Sequence, residues 1–383
     1  MKLNRIIFLL MLGILFGCQK RVANQNIITI DVDANYPEKE FKIQDFADVE
    51  YIPLETTDSF ITQGAVQSIG EKYIIVKNYI NDGNIFIFDR KTGKGLKVIN
   101  RLGQSGEEYT NLTNVVLSEM SNEIFVSDYP ARKILVYDIN GTFKRCFPFA
   151  DTSYYSYLAD YDTKYLIAFK GYSPNIENEE SCHILISKEN GNIEKEIKVP
   201  ISKLETVVWS KEGVTITPNF VPTVASTSHW ILTRMSSDTI YCYNDNDQIE
   251  PILVRTPSIH SMETLKFLYL IAETKQYYFL QTLKKEFNIE KMKGFEAQNL
   301  IYDKQEKAIF TPIILNDDYS DKHEVSIEIH EIQVDRNVFA FQSIEACNLI
   351  EANKEGILKS RLKSLVSNLD EQSNPVIMIL KSK

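Results

Sequence analysis

Short apolar runs recur along the chain in pairs, each pair closed by a polar turn. Tyr73-Ile74-Ile75-Val76 is followed by Ile85-Phe86-Ile87-Phe88, and Ile124-Phe125-Val126 by Ile134-Leu135-Val136-Tyr137. The pattern returns as Leu166-Ile167-Ala168 with Ile184-Leu185-Ile186, and as Trp230-Ile231-Leu232 with Ile240-Tyr241-Cys242-Tyr243. It continues as Tyr277-Tyr278-Phe279-Leu280 with Leu300-Ile301-Tyr302, and weakens at Val338-Phe339-Ala340-Phe341. Runs this short, rich in branched and aromatic residues and bounded by Gly, Asn and Asp, read as strands joined in hairpins. The turn after the second run falls at Asp89, Asp138, Lys188, Asp245 and Asp303, a period of 49 to 58 residues. Two hairpins per period of that length make one propeller blade, whereas a sandwich gives short strands without such a period. The expectation is an all-β, six-bladed β-propeller over residues 27–383. Residues 74–76, 124–126, 166–168 and 231–232 are read as its innermost strands. The acidic turn residues Asp89, Asp138 and Asp303 suit Asx turns.

Near the C-terminus the period changes. Leu358, Leu362, Leu365, Val366 and Leu369 share one helical face, predicting a helix over about 351–370 on the propeller rim. Pro375 ends it, and residues 376–380 form a closing strand. Residues 27–54 are expected to supply N-terminal strands to the blade that clasps the ring.

The first residues carry an address. Lys2 and Arg5 precede an apolar run over 6–16, too short to span a bilayer of about 30 Å, so residues 1–17 read as a cleaved signal. Leu15-Phe16-Gly17-Cys18 resembles the bacterial lipobox, in which the cysteine takes a diacylglycerol and becomes the first mature residue. The resemblance makes Cys18 the lipid attachment site and 18–26 a linker, with the membrane contacted through the lipid. Loss of Lys2 and Arg5 takes the net charge from −10 to −12. That charge and a pI near 5.2 exclude a general nucleic-acid binder, which needs a basic face. Cys146, Cys182, Cys242 and Cys347 fit no metal knuckle or redox spacing. An oxidising compartment leaves their pairing open, and small buried hydrophobes are the simpler reading.

Val49-Glu50-Tyr51-Ile52-Pro53-Leu54-Glu55-Thr56-Thr57 is similar to an "EYIPLET" opening. Residues 101–109, Arg-Leu-Gly-Gln-Ser-Gly-Glu-Glu-Tyr, are similar to a "GxGPGEY" inter-blade loop, with Ser105-Gly106-Glu107 as a departure. Asn374-Pro375-Val376 precedes a closing strand that ends in lysines, and residues 128–134 carry an NHL-type turn with Ala131 and Lys133 substituted. Together these pieces resemble the six-bladed β-propeller lipoproteins of Bacteroidetes, relatives in architecture of NHL-repeat proteins. The resemblance implies fold and export, and carries no shared activity. Some surface lipoproteins of that group bear an acidic tract behind the anchor. Gln19-Lys20-Arg21 is basic instead, which favours a periplasm-facing position in the cell envelope.

Signals for chemistry are sparse. There is no phosphate loop, no Gly-x-Ser-x-Gly elbow and no His-Glu-x-x-His. His323 and His330 with Glu324, Glu328 and Glu331 read as a solvated edge strand, and Asp317, Asp318 and Asp321 lack EF-hand spacing. No catalytic residue, metal or cofactor is therefore assigned. Arg101, Glu107, Glu108 and Tyr109 in the inter-blade loop, and Trp230, are the candidate ligand-binding residues. Trp209 and Trp230 are considered as stacking platforms, with packing between blades as the alternative. The function expected is a lipid-anchored, extracytoplasmic, non-catalytic binding or scaffolding module for a protein, peptide or glycan. The alternative is a lactonase- or lyase-like propeller enzyme, which carboxylates on the innermost strands would favour.

Overall fold

The computed structural model describes residues 27–150, 154–171, 182–327 and 333–383. Six antiparallel blades surround one axis. Blade one runs Ala65–Ile69, Tyr73–Lys77, Asn84–Asp89 and Gly95–Asn100 from the axis outwards. Blade two runs Asn114–Ser118, Glu123–Asp128, Lys133–Asp138 and Phe143–Pro148, and blade three Tyr155–Asp160, Tyr165–Lys170, His183–Ser187 and Ile193–Ile197. Blade four runs Thr223–Ala225, Trp230–Leu232, Thr239–Tyr243 and Ile249–Thr256, and blade five Lys266–Glu273, Tyr277–Lys284, Ala297–Asp303 and Ala308–Leu315.

The paired apolar runs are the second and third strands of each blade. The runs read from sequence as innermost are therefore second strands. Middle strands are covered on both faces by neighbouring blades: Ile74, Val76, Phe86 and Phe88 pack towards blade six, while Ile75, Ile85 and Ile87 pack towards blade two. Burial on both sides removes alternation and leaves a continuous apolar run. Outer strands are half-exposed and alternate, as in Ile193–Ile197. The true first strands border the axis and mix apolar residues with Ser68, Ser118, Asp160, Thr223 and Glu273.

The acidic turns behave as local chemistry requires. The Asp89 carboxylate accepts the Lys91 and Thr92 amides at 3.1 and 2.8 Å, and that of Asp303 accepts the Gln305 and Glu306 amides at 2.8 and 3.0 Å. Gly93, at φ +70°, sits against blade six, where an added Cβ would lie 1.9 Å from the Pro53 carbonyl oxygen.

Blade six joins both parts of the chain. Val376–Ser382 lies between Val338–Ile344 and the N-terminal Ala47–Pro53, antiparallel to both. Of the described N-terminal residues only this strand enters the closing blade. Ile28–Asp31 adds in parallel to the outer edge of blade four, and Glu38–Lys42 to that of blade five. The segment thus belts three successive blades. Gln333–Val334 leaves blade six and pairs in parallel with Ser68 and Ile69 of blade one. The single helix expected over 351–370 is two, Ala346–Lys354 and Ser360–Val366. Gly356 at φ +76° separates them, a conformation that ends a helix. They are not a rim decoration: Leu349, Leu358, Leu362 and Val366 are buried in one apolar core with Val376, Met378 and Leu380.

Candidate functional site

The first strands converge on the axis, and the C-terminal ends of those of blades one, two, three and five surround a cavity of about 590 Å³. Its wall includes Ser68 and Ile69, Leu117 and Glu119, Asp160, Thr223, Ile271 and Glu273. Tyr161 and Trp230 line its blade-three and blade-four sides, and the turn Asp335–Asn337 closes the blade-six side. This is the concave feature that the architecture builds, where small-molecule sites concentrate.

Three acidic groups in the wall, Glu273, Asp160 and Glu119, are committed. Glu273 receives Lys304 Nζ at 2.7 Å and faces His229 Nε2 at 3.1 Å. Burial pushes its carboxyl upward, but the His229 hydrogen bond and the Lys304 charge outweigh that and hold it down at about 2. Asp160 pairs with the buried ammonium of Lys188, which also donates to Ser118 Oγ at 2.9 Å and to the Asp162 carbonyl. Burial dominates there and raises the Asp160 carboxyl above its ordinary range. Glu119 accepts the amides of Glu71, Lys72 and Tyr73 at 3.0, 2.8 and 3.1 Å, so it braces a turn.

Other polar atoms in the wall are unmatched. Trp230 is 2% and Thr223 1% exposed, yet indole Nε1 and hydroxyl Oγ1 have no hydrogen-bond partner. The faces of Trp230 are covered: Tyr161 stacks at 5.7 Å and 22°, and the Arg336 guanidinium lies 5.3 Å from the ring centroid. Its remaining resource is the N–H at the ring edge.

Of the candidate residues read from sequence, Trp230 lines this cavity; Arg101, Glu107, Glu108 and Tyr109 do not. Those four build a clamp between blades one and two. Tyr109 is fully buried, donates to the Gly83 carbonyl at 2.7 Å and accepts the Arg101 amide at 2.9 Å. The carbonyls of Glu107 and Glu108 accept Tyr137 Oη and Lys133 Nζ, both at 2.7 Å. Glu108 Oε2 turns back onto the Ser105 amide at 3.0 Å, and Arg101 Nη2 donates to the Gly141 carbonyl at 3.1 Å.

Trp209 packs on Phe287 at 5.4 Å. His323 stacks on Tyr319 at 3.7 Å, Asp317 pairs with Lys42 at 3.1 Å, and Asp318 accepts Tyr51 Oη at 2.9 Å. His330, Glu328 and Glu331 lie outside the described residues, as do the signal 1–17, Cys18 and the linker to residue 26. Among the described residues no group of three His, Cys, Asp or Glu side chains is placed to hold a metal ion. Among the described residues Cys146, Cys182, Cys242 and Cys347 form no disulfide; Cys182 is buried, Cys242 half-buried, and Cys146 and Cys347 exposed, so the small-hydrophobe reading holds for Cys182 alone.

Sequence reasoning missed Asp160, Thr223, Glu273 and Arg336. The available signal was positional: Asp160 and Glu273 stand five and four residues before the second strands that begin at Tyr165 and Tyr277.

Residues 27–381 match the family described as a domain of unknown function, DUF4934. No curated protein matches the chain. Among solved structures, an exported protein of Bacteroides fragilis superposes with a TM-score of 0.59 at 13% identity, over 93% of this chain and 99% of that one. A DUF4221 member from Bacteroides vulgatus gives 0.49 at 12% identity, over 88% and 97%. Virginiamycin B lyase from Staphylococcus aureus gives 0.39 at 10% identity, over 88% and 100%. The first likeness is one of fold.

Proposed function

The chain belongs to the DUF4934 family, and for this member we propose a lipid-anchored, extracytoplasmic propeller that binds a ligand in its axial cavity without transforming it. One observation carries the binding reading. The cavity wall holds a buried indole N–H and a buried hydroxyl with no protein partner, while the adjacent acids are neutralised. Leaving a buried donor unsatisfied costs about 1–3 kcal/mol, so a ligand that completes Trp230 and Thr223 recovers interactions the fold forgoes. The same commitment supports the non-catalytic reading. Asp160 is held by Lys188, and Glu273 by Lys304 and His229, which leaves neither as a free base.

A second reading rests on a specific observation. Asp160 and Glu273 do lie on innermost strands, the feature an axial hydrolase or lyase needs. Screening the full chain against peptides, glycans, lactones and esters separates the two. Saturable binding without turnover, lost in Trp230→Phe, supports the binding module. Turnover abolished by Glu273→Gln replaces it with the enzyme, and absence of any binder at millimolar concentration rejects the axial site.

Export is supported by the leader motif and by the description of the Bacteroides fragilis protein of similar fold. No helix among the described residues is long and apolar enough to cross a membrane. Metabolic labelling with an alkyne palmitate tests the anchor. The wild type takes the label and Cys18→Ala does not; equal labelling rejects lipidation.

A further inference from the structure

We infer that the axial cavity is a carboxylate-binding site in which Arg336 supplies the counter-ion. The inference rests on the binding reading above and names its ligand class. Arg336 lies in the turn between Gln333–Val334 and Val338–Ile344, half-buried in the cavity wall. Among the described residues it has no carboxylate partner. Its contacts are the Trp230 ring and a long 3.5 Å hydrogen bond to the Tyr161 carbonyl. A guanidinium carries five N–H donors in a planar fork that matches a carboxylate bidentately, so most of its capacity is unspent.

The absence of an ion pair is informative because acids are close at hand. Six acids line the same cavity. Asp160 and Glu273 are taken by Lys188, Lys304 and His229, Glu119, Asp162 and Asp335 accept backbone amides, and Glu71 is exposed. Had the wall been built for stability alone, one of them would pair with Arg336. Instead the fold pairs Asp160 with Lys188 and Glu273 with Lys304, and leaves the Arg336 guanidinium in the wall without an ion pair among the described residues. Of the wall atoms without a hydrogen bond, the Asp160 and Glu273 oxygens have ion-pair partners, and the two that have none are able to donate. Trp230 Nε1 is donor-only and Thr223 Oγ1 is able to donate. Three donors around one space, one of them charged, call for an acceptor-rich anion.

The rim limits that anion to a single charge. Arg336 also borders a second hollow on the same face, with Asp162, Glu194, Asp245 and Asp247 around it and Lys195 as the other cation. A polyanion such as a nucleotide is repelled there. A small monocarboxylate places its charge on Arg336 and its other polar groups on Trp230 and Thr223. A sugar acid and a peptide C-terminus both offer that chemistry.

The test is calorimetric titration of the full chain with glucuronate, galacturonate and acetyl-dialanine. Glucose, galactose and acetyl-dialanine amide serve as neutral counterparts. A carboxylate probe is expected to bind at least about ten-fold more tightly than its neutral counterpart. Arg336→Gln removes that preference, and Arg336→Lys, which keeps the charge but loses the fork, restores part of it. Both variants should melt within a few degrees of the wild type, since Arg336 has no ion pair to lose and gives up only its contact with the Trp230 ring and a long hydrogen bond. Whichever carboxylate binds identifies the source. Equal affinity for the neutral probes, or unchanged affinity in Arg336→Gln, overturns the carboxylate assignment and leaves the binding reading standing. Binding of some other ligand in the cavity with no response to any carboxylate does the same. If nothing binds, both fall.

Discussion

The closing strand Val376–Ser382 is the place where a small change in packing should have the largest effect. Ile377 and Ile379 are both fully buried, on the face of blade six that packs against Ile74, Val76, Phe86 and Phe88 of blade one. Their backbones also carry the ladders to Ala47–Pro53 and Val338–Ile344. Truncating a buried isoleucine to alanine costs about 2–5 kcal/mol, including the cavity left behind. Two such truncations two residues apart share one cavity, so they interact and their sum is approximate. A loss of about 4–8 kcal/mol for Ile377→Ala/Ile379→Ala stands against a net stability of about 5–15 kcal/mol. The pair should therefore bring the protein to the edge of unfolding at 25 °C, while Ile61→Ala, at a side chain 63% exposed, stays within about 0.5 kcal/mol. Urea unfolding of the chain from Gln19 onwards, followed by the fluorescence of Trp209 and Trp230, measures both. Blade six holds the two ends of a ring, so its loss should take the other blades with it in one transition of unchanged slope. A double variant that loses less than about 1 kcal/mol, or that unfolds in two steps, would refute the view that this strand locks the ring.

Three further outcomes follow from the buried polar groups. Glu273 titrates at about 2 when folded against an ordinary 4.5, so its contribution is complete above pH 4.5 and is lost as pH falls towards 2. Glu273→Gln should be less stable at pH 7, by about 1.5–3 kcal/mol for its charged hydrogen bonds, and should show a flatter acid limb; parallel urea midpoints from pH 7 to 3 would contradict this. His183 is wholly buried, donates from Nε2 to the Pro222 carbonyl at 3.1 Å, and is pushed down by burial to about 3 from 6.5. The unfolded chain takes up the proton first, so stability is full above pH 6.5 and falls by up to about 1.4 kcal/mol per pH unit below it. His183→Gln should remove that slope between pH 6.5 and 4, and a variant as acid-sensitive as the wild type would exclude His183 as its source. Tyr109→Phe strips two hydrogen bonds from the clamp between blades one and two, with an expected loss of about 1–3 kcal/mol in urea. Ligand affinity should be unchanged, because Tyr109 is remote from the axial cavity; a fall in affinity at equal stability would return loop 101–109 to the binding site.

The blades were legible because their middle strands are wrapped on both faces. Ile85 to Phe88 had to be apolar at every position, and the turns that follow had to accept backbone amides, so both left marks at a fixed period. The helix pair was half legible: Leu358, Leu362 and Val366 betrayed an apolar face, but Gly356, which divides the helices, is a single residue. The axial site was not legible, and its strands were misassigned. A first strand such as Thr223–Ala225 is three residues long and meets both core and cavity, so it shows neither period nor run. Glu273, His229 and Lys304 are brought together by two hairpins of blades four and five, and no local spacing announces them. Arg336 stands beside Trp230 only because Gln333–Val334 crosses to blade one. Tyr109 misled for the opposite reason: its loop has a distinctive sequence because it is structurally demanding.

The N-terminal belt sets an order of events in time. Ile28 meets Leu253, Glu38 meets Thr311 and Ala47 meets Ser382. The first strands to leave the ribosome are thus partners of the last. Every one of them must wait, with its amides and its apolar face unclaimed, until more than half of the chain has followed. Contacts so distant in sequence form slowly, since the loop must be closed before the pairing repays it. Until then Ile30 and Phe41 are exposed strand segments of the kind that pair with the wrong molecule. A chain of this design cannot mature domain by domain from its beginning. It reaches its native state late, when Val376–Ser382 pairs with Val338–Ile344 and gives Ala47–Pro53 its partner, and its yield depends on what shields residues 27–53 in the interval.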